Sequence, residues 1–244
     1  MKRRDLLFST LGLLLAWQLL AWLLNKPILP GPLLVLKTFF FELGHGLLGH
    51  LAASLWRVIA STALAIALAV PAGLVMGQSR RVDAIFSPIV YLLYPVPKVV
   101  MVPVMMLIFG VGDTAKIGII FIILFFQILV LVRDQASSLH PQLLQSVRSL
   151  GAGRRALFRF VYLPASLPAI LTALRQSVGT AVAVLYIAEL FATQKGLGYY
   201  IYLNGSTLFN YPAMYAGILA MSLLGLGLYF TVDWLERRLC PWLA

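Results

Sequence analysis

Four charged residues lie inside or at the ends of long apolar runs: Arg57, Lys98, Arg175 and Glu189. A Lys, Arg or Asp at the centre of a bilayer costs roughly 2.5–3.5 kcal/mol on insertion scales, so such residues face a protein interior or a wet cavity. Lys98 follows Pro95 and Pro97, where a broken helix frees carbonyls beside the ammonium. Pro97 and Lys98 are therefore candidates for a translocation path. The other readings of Lys98 are a cation held by those carbonyls, or one that snorkels from a shorter span. Arg57 and Glu189 lie near the outer ends of two different spans. They either pair across helices or each face a substrate-receiving mouth, and both are candidates for the path. Arg175 sits about two turns into its span, near enough to the end to snorkel. Asp113, with Thr114 beside it, reads as a helix cap.

Little here suits bond-making chemistry. His45, His50 and His140 are scattered, with no H-E-x-x-H and no carboxylate at ligand spacing, so no metal site is expected. Ser54, Ser61, Ser166 and Ser177 have no histidine base nearby in sequence. The single cysteine, Cys240, excludes an internal disulfide and a multi-cysteine metal centre. There is no G-x4-G-K-[ST] phosphate loop. An intramembrane lipid-modifying enzyme remains a competing reading, but it needs a cluster of Asp, Glu or His at the membrane face, and the eight acidic residues fall singly.

These residues need an apolar scaffold, and the composition supplies it. Of 244 residues, 61% are hydrophobic and 11% charged, against about 45–50% and about 25% in a soluble domain. The chain is expected to be all-α, a polytopic membrane protein forming one transmembrane domain over residues 1–244. Six apolar stretches, at about 6–24, 51–77, 85–110, 115–132, 167–191 and 213–234, are each near the ~20 residues a bilayer requires. The first is too long for a signal-peptide core and is not followed by a small-residue cleavage site, so it is expected to stay as a span. The run "IGIIFIILFFQILVLV" has no period-2 alternation, which argues against a barrel.

Six spans put both termini on one side. Lys2, Arg3, Arg4, Arg80, Arg81, Arg133, Arg148, Arg154, Arg155, Arg159, Arg237 and Arg238 fall on that side. The other side receives Lys26, Lys37, Lys116 and Lys195. The positive-inside rule makes the first side cytoplasmic. The net charge of +11 thus reflects topology and lipid contact, not nucleic-acid binding. Outside, residues 25–50 hold the helix-breaking "PILPGP" and then a short interfacial helix, "LLVLKTFFFELG". Residues 192–212, aromatic and Gly-rich, form a partly re-entrant loop or an outer lip, with tyrosines as interface anchors. Gly73-x3-Gly77 and Ala216-x3-Ala220 allow close helix contact.

The longest cytoplasmic connection, 133–166, is not a bland linker. Leu143, Val147, Leu150, Leu157 and Val161 keep one face apolar. Gly151 and Gly153 permit a sharp bend. Pro164 is expected to end the second piece, and Pro168 to sit in the first turn of the next span. The expected shape is two short helices joined by a glycine turn under the membrane, with Arg148, Arg155 and Arg159 on one face.

On this loop the chain resembles the permease subunits of bacterial ABC importers, whose "EAA" loop reads E-A-A-x3-G-x9-I-x-L-P ahead of the penultimate span. The glycine falls on Gly151 and I-x-L-P on Val161-Tyr162-Leu163-Pro164, without gaps. Gln145-Ser146-Val147 replaces the E-A-A, so the usual acidic residue is a neutral amide. "YPVPKVVMVPVMMLIFGVGDTAKI" (94–117), "HLAASLWRV", "ALRQSVGTAVAVLYIAEL" and "GLGYYI" are similar to the nitrate, sulfonate and taurine branch; a permease of another importer branch is the alternative. The resemblance implies a type I importer permease fold in the bacterial inner membrane. It implies that Gln145, Arg148, Leu150, Gly151, Ala152, Gly153, Arg154, Arg155, Leu163 and Pro164 dock on a cytoplasmic ATPase. It further implies a second copy of the chain, two ATPase subunits that bind the ATP, no cofactor in this chain, and an external solute-binding protein. A small anionic solute fits Lys98 and Arg57.

Overall fold

A computed structural model describes residues 3–191 and 193–243; Lys2, counted above among the cytoplasmic charges, lies outside them. The described residues form helices with no strand. In chain order these are α1 (Arg3–Leu24), α2 (Pro32–Glu42), α3 (Leu48–Gln78), α4 (Arg80–Leu93), α5 (Val102–Phe109) and α6 (Asp113–Ser137). Then follow α7 (Pro141–Ser149), α8 (Arg154–Leu157), α9 (Leu163–Leu190), α10 (Leu197–Tyr202) and α11 (Tyr211–Leu239).

Pro32 stands at the first turn of α2, where its missing N–H costs nothing. A short helix does follow "PILPGP" as expected; it lies along α11 with Val35 and Phe39 buried, and it belongs to the apolar helical segment Pro32–Gln78. A wide turn at Leu43–Leu47, broken at His45 and at Gly46 with φ +124°, redirects the chain into α3. The bundle is then built pairwise: α3 on α6, α6 on α9, α9 on α11. The α3–α6 contact is close because Gly73 and Gly77 bring the backbones together. A Cβ at Gly73 would lie 2.9 Å from the Leu129 carbonyl oxygen, and one at Gly77 2.7 Å from that of Arg133. Small residues at a helix interface allow this approach.

Four helical segments are long and apolar enough to cross a membrane: Pro32–Gln78, Asp113–Ser137, Arg155–Leu190 and Tyr211–Leu239. The span expected at 85–110 is not one helix. α4 and Lys98–Phe109 are bent 79° from each other, because Pro95 and Pro97 cannot donate the bonds that would carry a helix through. The N-terminal helix carries an apolar run over Phe8–Leu24. The described chain therefore has four spans, five with the bent pair, plus this shorter apolar helix.

The second half of the cytoplasmic loop also departs from expectation. Pro164 does not end a helix. The backbone widens into a five-residue π-turn at Phe158–Tyr162 and continues into α9, so that Arg155–Leu190 is one helical run. The widened turn just before Pro164 relieves the clash of the proline ring with the preceding carbonyls. Leu157, Val161 and Tyr162 are buried there. At roughly 1.5–3 kcal/mol each, their burial outweighs the ~3 kcal/mol of a helix proline. Pro168 lies inside α9, beyond its first turn.

Candidate functional site

Three regions carry the polar residues singled out by sequence. The first is the cytoplasmic elbow. Pro141 starts α7, and the Gly151 N–H closes the turn on the Arg148 carbonyl at 2.9 Å. Gly151 has φ +85°, in the left-handed region, with nothing within 4 Å of a would-be Cβ. The glycine is there for conformation, not for space. The Leu157 N–H then donates to the Gly153 carbonyl, which starts α8. Gln145, Arg148, Gly151, Gly153 and Arg155 are exposed, and Leu150 is 85% exposed. Leu150 thus leaves the apolar face expected for it and stands out at the tip. Val147 and Ala152 pack against the core from behind. Pro164 is half-buried, and Leu163 lies at the rim. The side chains of Leu143 and Arg154 lie outside those described. The result is a core-backed knuckle with an exposed apolar tip between two exposed arginines, Arg148 and Arg155.

The second region is the break between α4 and α5. The Lys98 ammonium donates to the carbonyls of Leu93 (2.9 Å), Tyr94 (3.0 Å) and Val96 (3.3 Å), and sits 4.6 Å from the centre of the Phe126 ring. Of the readings left open, it is the cation held by freed carbonyls. It fastens the C-terminal end of the half-helix, where a positive charge is favoured. Pro97, exposed, forms the bend itself.

The third region lies where α3, α6 and α9 end together. Arg57 Nη1 donates to Glu189 Oε1 at 2.6 Å, while its Nη2 and Nε reach Asp113 Oδ1 at 2.7 and 2.9 Å. Ser54 Oγ lies 2.8 and 2.9 Å from the two Glu189 oxygens. Lys116 donates to the Val111 carbonyl at 2.7 Å. Arg57, Lys116 and Glu189 are 4%, 1% and 0% exposed. Arg57 and Glu189 therefore pair across helices and are not presented to an open mouth. One expectation changes. Asp113 caps nothing: Gly112 precedes the helix, and the carboxylate goes to Arg57. Lys116, at the start of the span expected at 115–132, is buried in the first turn of α6.

The same cluster receives the lip. The Gly198 N–H donates to Glu189 Oε2 and the Leu197 N–H to Ser54 Oγ, both at 2.8 Å, and Arg57 donates to the Lys195 carbonyl at 2.8 Å. Tyr200 is buried rather than an interface anchor, and burial pushes its phenol above the ordinary value. At the opposite end, Arg175 does not snorkel. It bridges Asp233 (3.2 Å) and Glu236 (2.8 Å) of α11. Arg133 grips Asp83 through two 2.8 Å bonds. Ser54, Asp113 and Lys116 are the members of the outer cluster that sequence reading did not assign to it.

Among the described residues, no three His, Cys, Asp or Glu side chains gather to hold a metal. A hollow of about 230 Å³ between α3, α6, α9 and α11 is lined by Val58, Ile66, Leu124, Leu174, Ala181 and Leu228 among others. It offers a polar solute little to bind.

The comparisons agree with this layout. A family model described as "binding-protein-dependent transport system inner membrane component" matches residues 65–240. The taurine transport system permease protein TauC of Escherichia coli (strain K12) is 36% identical over 193 residues, 79% of this chain and 70% of that protein. The formylaminopyrimidine transport permease protein ThiX of Halalkalibacterium halodurans is 31% identical over 95% of this chain and 93% of its own length. The MetNI methionine ABC transporter in an inward-facing conformation shares the fold, with a TM-score of 0.70 at 20% identity over 81% of this chain and 98% of the matched one. The family match over residues 65–240 and the permease relatives decide the identity: this chain belongs to the binding-protein-dependent inner membrane components, and is an ABC-importer permease of the taurine- and sulfonate-permease branch.

Proposed function

We propose that two copies of this chain enclose the translocation path, that two ATPase subunits dock on their elbows, and that the solute-binding protein sits on the outer lips. The observation that carries this reading is the elbow, an exposed leucine tip on a backbone turn fixed by Gly151 and backed by the core. A floppy loop would dissipate the motion of an ATPase; this one passes it into α9 without a joint, because α8, the π-turn and α9 are continuous. α1 is the sixth span, and the excess of basic residues puts both termini in the cytoplasm. The apolar hollow within one chain supports a second copy completing the path, with the bend between α4 and α5 facing it and Lys98 holding that bend from behind through the freed carbonyls.

The solute class that fits best is a small organic anion of the sulfonate type. The support is the taurine relative at 36% identity; the formylaminopyrimidine relative marks the alternative. Proteoliposomes holding the chain, its ATPase and its binding protein test both. Uptake of radiolabelled taurine or an alkanesulfonate, dependent on ATP and on all three proteins, is expected. Uptake by this chain without an ATPase, or uptake of pyrimidines and no sulfonate, overturns the mechanism or the solute class respectively.

A further inference from the structure

On the importer reading, motion enters at the elbow and runs along α9. The rest of the bundle moves only as far as α9 carries it. α11 is the helix that matters most here, because α2 and α10 both pack on it. Yet α9 and α11 are not in close contact along their whole length. In mid-span both help to wall the hollow of about 230 Å³, α9 with Leu174, Val178 and Ala181, α11 with Leu228 and Val232. Side chains that line a void have no partner atoms on that side, so a shift of α9 at this level is taken up by the hollow. On the far side from the elbow the helices touch again: a Cβ at Gly225 would lie 3.6 Å from Val182, an ordinary contact distance.

On the elbow side of the hollow the tie is ionic. Arg175 Nη1 lies 3.2 Å from Asp233 Oδ1 and 2.8 Å from Glu236 Oε2. The Thr172 hydroxyl lies 3.4 Å from the other Glu236 oxygen. Thr172 and Arg175 share a face of α9 by their i,i+3 spacing, and Asp233 and Glu236 share a face of α11 in the same way. Contacts one turn apart on both helices fix height and rotation together. From its own helix, Arg237 holds the second Asp233 oxygen at 2.9 Å. Two positive charges thus meet two negative ones. Arg175, Asp233 and Glu236 are 28%, 23% and 17% exposed, and ion pairs this open to solvent add little to stability. Their place beside a gap in the packing fits the transmission of movement better than cohesion.

We propose that Arg175 is a positioning residue for coupled transport: its bridge to Asp233 and Glu236 makes α11 follow α9 across the hollow when the elbow moves. This rests on the importer reading above and supplies the route by which a displacement of one helix reaches the other. Without the bridge, α9 still answers the ATPase, while α11 and the helices packed on it lag behind. Hydrolysis then continues and transport per cycle falls.

The test uses the permease–ATPase complex in proteoliposomes with its binding protein. It reads radiolabelled taurine taken up per ATP hydrolysed, beside the melting temperature of the same complex. Arg175→Gln is expected to lower taurine per ATP about fivefold or more, within the usual span of coupling between sites, with a melting temperature close to that of the unmodified complex. Arg175→Lys, which keeps the charge, should recover part of the loss. Arg237→Gln removes an arginine of the same cluster that is 80% exposed and bonded only within its own helix; taurine per ATP should stay unchanged. Where Arg175→Gln does not assemble, Asp233→Asn with Glu236→Gln cuts the same tie from α11 and should give the same fall. Unmodified coupling in either variant overturns the proposal. So does an equal loss in Arg237→Gln, or a loss matched by a lowered melting temperature, since either assigns Arg175 to stability alone. Absence of ATP-dependent taurine uptake by the unmodified complex would instead fault the importer reading or its solute.

Discussion

Gly151 carries a prediction whose size follows from two observations. Its φ of +85° is left-handed, and the space around a would-be Cβ is empty. A side chain there therefore meets only the backbone penalty, about 1–2 kcal/mol for an L-residue. Gly151→Ala should lower the population of the native elbow by a factor of about 5–30. Gly151→Asn should cost less, because asparagine tolerates this conformation, and Gly151→Val more, because a β-branched residue does not. Gly153 lies two residues away in equally open space but without a left-handed φ; Gly153→Ala should be nearly silent. The assay is solute taken up per ATP hydrolysed in proteoliposomes. The expected order is Gly, Asn, Ala, Val, with hydrolysis persisting while uptake falls. Full coupling in Gly151→Val, or equal damage from Gly153→Ala, would refute the reasoning.

Three further outcomes follow from the packing. Gly77→Leu should cost about 1–3 kcal/mol by overpacking and lower the melting temperature in detergent, because its Cβ meets the α6 backbone; Gly12→Leu, with nothing within 4 Å, should not. Lys98→Met removes the donor to three carbonyls; uptake rate in vesicles should fall while the half-saturating binding-protein concentration stays unchanged. Arg175→Gln should cost no more than about 1 kcal/mol in a chemical-denaturation or melting assay, since the guanidinium is 28% exposed and such pairs are worth little.

Much of the scaffold was legible because apolar runs and prolines act locally. The runs at 115–132 and 213–234 lie inside α6 and α11, and Pro95 and Pro97 marked where the third span breaks. The elbow was legible through Gly151, whose left-handed backbone only glycine adopts freely. The outer cluster was not. The sequence marks Arg57 and Glu189 as a possible pair, but a local rule makes Asp113 a cap. In the fold, a buried guanidinium 56 residues away in sequence takes its carboxylate instead, because an unpaired buried charge costs more than a missing cap. Pro164 misled for the same reason. Its local tendency to stop a helix yields to the burial of Leu157, Val161 and Tyr162 and to the π-turn that makes room for it. Leu150 looked like one more apolar position, and periodicity has no means of showing that the turn lifts it out.

The most direct measurement is cross-linking from the elbow tip. Leu150→Cys can be placed in the otherwise native chain, because Cys240 is the sole native cysteine, is 2% exposed, and has a thiol whose pKa is pushed up by burial and by Glu236. In membrane vesicles carrying the whole transporter, a thiol-to-amine cross-linker at position 150 is expected to capture the ATPase subunit, with a yield that changes when ATP is bound. A cysteine at 150 that is modified by an impermeant reagent from outside the cell, or that never reaches the ATPase, would contradict the elbow as the point where nucleotide-driven motion enters the membrane.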